Sequence, residues 1–187
     1  MNSSHSEPLR MGTNHMVGNS LYEPQRTNNF EVQIVGLTNL RGMGNTGNIV
    51  SDAGDVITLS TASYSAPQIN ISNIPIRYGN NTVKYAGVPE FPDSTIVLND
   101  YIGLEVEKIL AAWFALVYDP TTEKIGYAAD YKKTGYLIEY DTKGATARQW
   151  QINGCWISTL NLGEFNQEGG SVRQLNATLV YDNIIPA

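Results

Sequence analysis

The chain has one cysteine, Cys155, so no disulfide can form within it, and its folding suits a reducing compartment. Cys155 lies in an apolar run and reads as a buried packing thiol. Histidine is nearly as scarce: His5 and His15 both stand in the N-terminal stretch without cysteine or carboxylate company. A histidine-based triad or metal centre is therefore not expected. Charge is sparse at 16% of residues, and 18 acids against 12 bases leave a net charge of −6. Such a chain is poorly suited to gripping nucleic acid, whose duplex carries one negative charge per about 1.7 Å of axis. No apolar run approaches the roughly 20 residues of a membrane-spanning helix. The first twenty residues lack a basic stretch followed by an apolar one, so the expectation is a soluble, cytosol-made protein without signal peptide or membrane anchor. No HExxH, Cys-x-x-Cys, Gly-x-Ser-x-Gly or P-loop lysine motif is present, and neither catalysis nor a cofactor is expected. Asp119 and Asp130 are the one carboxylate pair considered for catalysis, but Asp119 precedes Pro120 and reads as a turn cap.

What the chain does have is 187 residues, 42% of them apolar, enough for one domain with a real core. Residues 1–28 are polar and aperiodic and read as an arm, loose or clamped on a neighbour. Residues 29–187 read as a single domain. Within it one stretch is clearly helical, residues 100–117. Ile102, Val106, Ile109, Leu110, Trp113 and Val117 fall on one face of a 3.6-residue period, Asn99 or Asp100 can cap the start, and Pro120 follows the end. A helix with one apolar face needs a sheet to lie on.

The remaining segments supply it. Residues 29–37 alternate, with Phe30, Val32 and Ile34 on one side and Glu31 and Gln33 on the other. Residues 39–55 form a long loop with four glycines, a length usually reserved for functional or disordered segments. Gly42, Gly44 and Gly47 match the Gly-x-Gly-x-x-Gly spacing, but no helical period follows, so a dinucleotide site is not supported. Residues 56–60 are expected to be a strand. Residues 74–85 read as a hairpin turning at Gly79, which Pro75 confines to an edge or a projecting arm. Residues 94–98 form a further strand, and residues 124–132 are ambiguous. A second hairpin spans residues 135–156 around a turn at Asp141 and Gly144. Its return strand places Trp150, Ile152 and Trp156 on the core side and Gln149, Gln151, Asn153 and Cys155 opposite. In the last strand Leu175, Ala177, Leu179 and Tyr181 face inward, and Gln174, Asn176 and Thr178 outward. The fold class is mainly β, an antiparallel barrel or sandwich with one packed helix.

The outward faces carry amides and hydroxyls where exposed strands ordinarily carry charge. Residues Pro24, Arg26, Asn28 and Phe30 ahead of the first strand, Trp113 to Pro120 at the helix end with Gly126 after it, and Tyr140, Asp141, Gly144, Arg148, Trp150, Gly154 and Trp156 followed by Tyr181 and Asp182 carry a resemblance. Over residues 22–181 the chain resembles the tail tube proteins of contractile-tailed bacteriophages, related in fold to the type VI secretion tube protein. The resemblance implies hexameric rings that share strands in one continuous barrel, stack into a hollow tube inside a contractile sheath, and pass the genome through the bore. It implies as partners further copies of the chain, the sheath protein, and baseplate and tail terminator proteins, with a place in the virion after assembly in the host bacterial cytoplasm. Gln149, Gln151, Asn153, Gln174, Asn176 and Thr178 then become candidate lumen residues. Arg41, Asp52, Asp55, Arg77 and Lys84, on the glycine loop and the first hairpin, become candidate inter-ring contacts. Deleting residues 42–54 is expected to leave a folded chain that no longer polymerises. The alternatives are a baseplate tube initiator, a bacteriocin or type VI-like tube, and a β-sandwich glycan binder that stacks sugars on Trp150 and Trp156.

Overall fold

The computed structural model describes residues 24–37, 40, 53–168 and 170–187. Arg41, Asp52 and most of the glycine loop, including the Gly-x-Gly-x-x-Gly match, lie outside the described residues, as does most of the N-terminal arm. The elements run β1 (Phe30–Val35), α1 (Ala53–Ser60), β2 (Thr61–Tyr64), β3 (Asn70–Tyr78), β4 (Asn81–Glu90), β5 (Ser94–Asn99) and α2 (Val106–Val117). Two short strands follow, β6 (Tyr118–Asp119) and β7 (Lys124–Ile125), then α3 (Ala128–Tyr131), β8 (Lys133–Tyr140), β9 (Thr146–Asn161), β10 (Gln174–Val180) and β11 (Asn183–Pro186).

Seven strands make one antiparallel sheet in the order β1-β8-β9-β10-β5-β2, with β11 paired to β9. The 16-residue β9 is its spine: its first half pairs with β8 and β11, its second with β10. One face of this sheet is apolar and packs on α2. Val32, Ile34, Leu137, Ile152, Ile157, Leu175, Ala177 and Leu179 form a single cluster with Val106, Ile109, Leu110 and Trp113. Eight such side chains, at about 1.5–3 kcal/mol each on burial, dominate what holds the layers together before chain entropy is charged. Trp113 is fully buried and its indole N–H donates to the Tyr131 carbonyl at 3.0 Å, so its polar atom is satisfied.

Four expectations are corrected. Residues 56–60 are helix: Ala53, Val56, Ile57 and Ser60 fall at i, i+3, i+4 and i+7 and are buried, so packing overrides the β-branched composition. Deletion of residues 42–54 would thus remove the buried Ala53 and Gly54, where an added Cβ would meet the Ile34 carbonyl at 2.6 Å. The central helix starts at Val106, not near residue 100, and Ile102 is fully exposed. Asp100 does not cap it, because its carboxylate is held by Arg173 Nη1 at 2.9 Å; the residue before the helix is Glu105, left-handed at φ 50° with no side-chain cap. Finally, Cys155 faces the core and Trp156 does not. Gly154, at φ +66°, inserts a bulge that inverts the pleat between Ile152 and Cys155.

Candidate interaction surfaces

The outward face of the sheet is built by pairing. β1 and β8 place Glu31 opposite Ile138 and Gln33 opposite Tyr136; β8 and β9 place Tyr136 opposite Gln151 and Ile138 opposite Gln149. Asn153 pairs with Asn183, Asn176 with Asn161, Thr178 with both Thr159 and Thr95, and Gln174 with Asn99. The six residues expected on a lumen wall therefore do share one surface, the side away from α2. Two of them join an amide chain: Gln151 Nε2 donates to Asn153 Oδ1 at 2.8 Å, and Asn153 Nδ2 to Asn183 Oδ1 at 2.8 Å. Gln174 Nε2 reaches Asn99 Oδ1 at 3.3 Å. Among the described paired positions of this face, the one formal charge is Glu31. Its carboxylate is held below the usual range by the Gln33 amide at 2.7 Å and by the Tyr140 hydroxyl at 2.6 Å. The same bond pushes the Tyr140 phenol up, because ionising it would set two anions together.

The second surface is a ribbon. β3 and β4 pair only with each other, in a separate two-stranded sheet joined by Gly79, at φ +61°, and Asn80. Ile74 lies opposite Tyr85, Ile76 opposite Val83 and Tyr78 opposite Asn81, giving one apolar face; Pro75 opposite Lys84 and Arg77 opposite Thr82 give a polar one. The five large apolar side chains of the first face are 42% to 57% exposed. An isolated hairpin is marginal in water, and among the described residues no other element lies broadly against this one. Of the expected inter-ring contacts, Arg77 and Lys84 stand on this ribbon, and Asp55 on the exposed side of α1, a separate element.

The third surface surrounds the start of α2. Arg173, 18% exposed, binds Asp100, Glu107 Oε2 at 2.7 Å, and the Leu162 carbonyl through Nε and Nη2 at 3.0 and 2.7 Å. Phe165 stacks on its guanidinium at 4.3 Å and is otherwise 84% exposed. Neither the sequence pattern nor the spacing of residues 162–173 flagged this node.

The side chains that sequence reading considers for chemistry are engaged elsewhere. Burial pushes the Cys155 thiol up to about 12. The Asp119 carboxylate, lowered by the Thr121 amide and then by the Thr122 hydroxyl, is spent on its own turn. Trp150 packs against the core, and Trp156 meets Tyr131 edge-on at 5.7 Å, so neither is an open sugar platform. Among the described residues no group of three metal-ligating side chains occurs and no helix is long and apolar enough to cross a membrane.

An antiparallel sheet packed on α2, with a separate two-stranded ribbon, is a tail-tube-like fold. Comparison with solved structures gives the same class. The chain is similar to one in an anti-feeding prophage tube-terminating cap, at 17% identity and TM-score 0.62 over 88% of this chain and 91% of that one. It is similar to a chain of the sheath–tube complex of the PVC extracellular contractile injection system in its extended state, at 16% identity and TM-score 0.63 over 94% and 97%. It is also similar to a chain of that system's sheath/tube terminator, at 17% identity and TM-score 0.61 over 88% and 97%. No family model and no curated protein sequence matches the chain.

Proposed function

We propose that this chain is a structural, non-enzymatic subunit of the inner tube of a contractile injection apparatus, stacking as rings around a hollow bore. The observation that carries the reading is the ribbon: five large apolar side chains on one face, 42% to 57% exposed, with no other element among the described residues lying broadly against them. Exposed apolar area of that kind is relieved by a partner. The fold likeness to tube-cap and sheath–tube chains supports a further copy as that partner. Hexameric rings, a surrounding sheath, baseplate and terminator neighbours, and passage of a phage genome are the finer form of the proposal. A bacteriocin or type VI-like tube, or a baseplate initiator, uses the same surfaces.

The β2 end of the sheet fits strand sharing. β1 and β2 do not pair, and a groove of about 770 Å³ lined by Phe30, Val32, Tyr64 and Leu137 runs between them. The nearly uncharged outward face is the proposed lumen wall, through Gln149, Gln151, Asn153, Gln174, Asn176 and Thr178. A wall without cations releases few counterions and so lets a polyanion slide. Negative-stain microscopy of the concentrated protein tests the reading: stacked rings with a hollow centre are expected, and a persistent monomer at all concentrations overturns it.

A further inference from the structure

The gap between β1 and β2 is filled along only part of its length. α1 covers the second half of β1, where Gly54 abuts the Ile34 carbonyl and Thr58 Oγ1 donates to the Val32 carbonyl. The helix ends at Ser60, and beyond Thr58 the gap stays open as the groove floored by Phe30, Val32, Tyr64 and Leu137. Thr61–Tyr64 pair only with β5, and their other edge borders this groove. An unpaired strand edge above an apolar floor suits an extended segment, whose backbone bonds the edge while alternate side chains enter the groove.

The chain ahead of β1 supplies such a segment, but not from a position suited to its own groove. Asn29 N–H donates to the Arg26 carbonyl in the turn before β1, and Gln25 Nε2 donates to the Tyr140 carbonyl at 2.8 Å. Pro24 accordingly lies with Tyr140, Asp141, Thr142 and Lys143, and not among the residues that line the groove. The chain therefore reaches β1 from its β8 side, away from its own β2. Ahead of Pro24 stand 23 residues. They include Leu9, Met11, Met16, Val17, Leu21 and Tyr22, with only three charged side chains, Glu7, Arg10 and Glu23. Extended, such a stretch spans up to about 75 Å, more than the roughly 40 Å width of a domain of this size.

We infer that residues 9–22 of one copy dock in the β1–β2 groove of a second copy, along the free edge of β2. The inference rests on the reading that copies assemble, and it names the segment that fills the gap α1 leaves.

Mixed cysteine variants test it in the full chain, with Cys155 buried and out of reach. Met11→Cys, Val17→Cys and Leu21→Cys are each co-assembled with Ser63→Cys, whose side chain is exposed beside the groove, and bridged by a short bismaleimide. A covalent dimer is expected from at least one mixture and from no variant alone. Tubes that give no such dimer overturn the docking and leave the tube reading standing. A dimer between Tyr78→Cys and Ser63→Cys in place of the arm's would put the ribbon in the groove and overturn it as well. Wild-type protein that never assembles overturns both readings. Removal of residues 2–22 gives an independent check. It is expected to leave the melting of the unassembled chain unchanged and to raise the half-assembly concentration by about tenfold or more. Unchanged assembly overturns the inference, and so does a lowered melting temperature of the unassembled chain, which would place the arm on its own domain.

Discussion

Gly154 decides which side chains of β9 reach the core. An added Cβ would stand 2.2 Å from Asp182 Oδ2, and its φ of +66° is one that other residues adopt at a cost. Gly154→Ala is expected to lower stability by about 1–3 kcal/mol in urea denaturation, since both the backbone and the Lys132–Asp182 ion pair at 2.7 Å must give. Glu31 and Tyr140 make a pH-dependent contact. The carboxylate is lowered in the folded state, so its contribution is present above the unfolded carboxylate range and fades as pH falls through the folded value. The phenol is raised, so its contribution is present below the unfolded value near 10 and fades as pH rises through the folded one. Tyr140→Phe should therefore cost about 0.5–1 kcal/mol at pH 7, after screening at this half-exposed site, and less as acid protonates the carboxylate. An equal loss across the acid range would mean that the bond does not depend on the carboxylate's charge. Cys155 should resist thiol reagents in the native protein and react in step with unfolding, because burial keeps it protonated.

At the scale of elements, α1 shuts one edge of the sheet. Thr58 Oγ1 donates to the Val32 carbonyl at 2.8 Å, and Gly54 lets the helix approach Ile34. Gly54→Val is expected to push α1 off β1, with a drop in melting temperature and gain of amide exchange in Phe30–Val35. The ribbon should behave in the opposite way. Replacing residues 74–85 with a two-residue turn removes no buried side chain, so melting is expected to be nearly unchanged while assembly is lost; retained tubes would remove the ribbon from the interface. The legibility of each element follows from where its order originates. β10 was readable because Leu175, Ala177 and Leu179 alternate without a bulge against β5. Val106, Ile109, Leu110 and Trp113 were readable because their period is local. α1 is not legible as helix because Val56, Ile57 and Thr58 favour strand, and packing on β1, β5 and α2 favours the helical state.

At the scale of the molecule, an acidic chain presents a broad sheet face whose described paired positions carry a single formal charge, Glu31. Assembled protein is expected to bind duplex DNA weakly, with little change between 50 and roughly 200 mM salt. Tight, salt-sensitive binding would contradict a passive wall. If neighbouring copies extend the sheet, amides of Thr61–Tyr64 or Asn183–Pro186 should gain exchange protection on assembly, since each strand has one unpaired side among the described residues.

The sequence by itself determined the antiparallel class, the apolar helix that ends at Val117, the hairpin turning at Gly79 and the uncharged outward positions, because each is written in a local period or a turn residue. It also determined the absence of catalytic motifs. Tertiary structure decided the rest: the helical state of residues 53–60, the late start of α2 once Arg173 takes Asp100, and the exchange of Trp156 for Cys155 at the core. It also brought the loops holding Tyr101, Ile102 and Phe165 together. Those outcomes depend on groups far apart in the chain, whose mutual attraction no window of neighbouring residues contains.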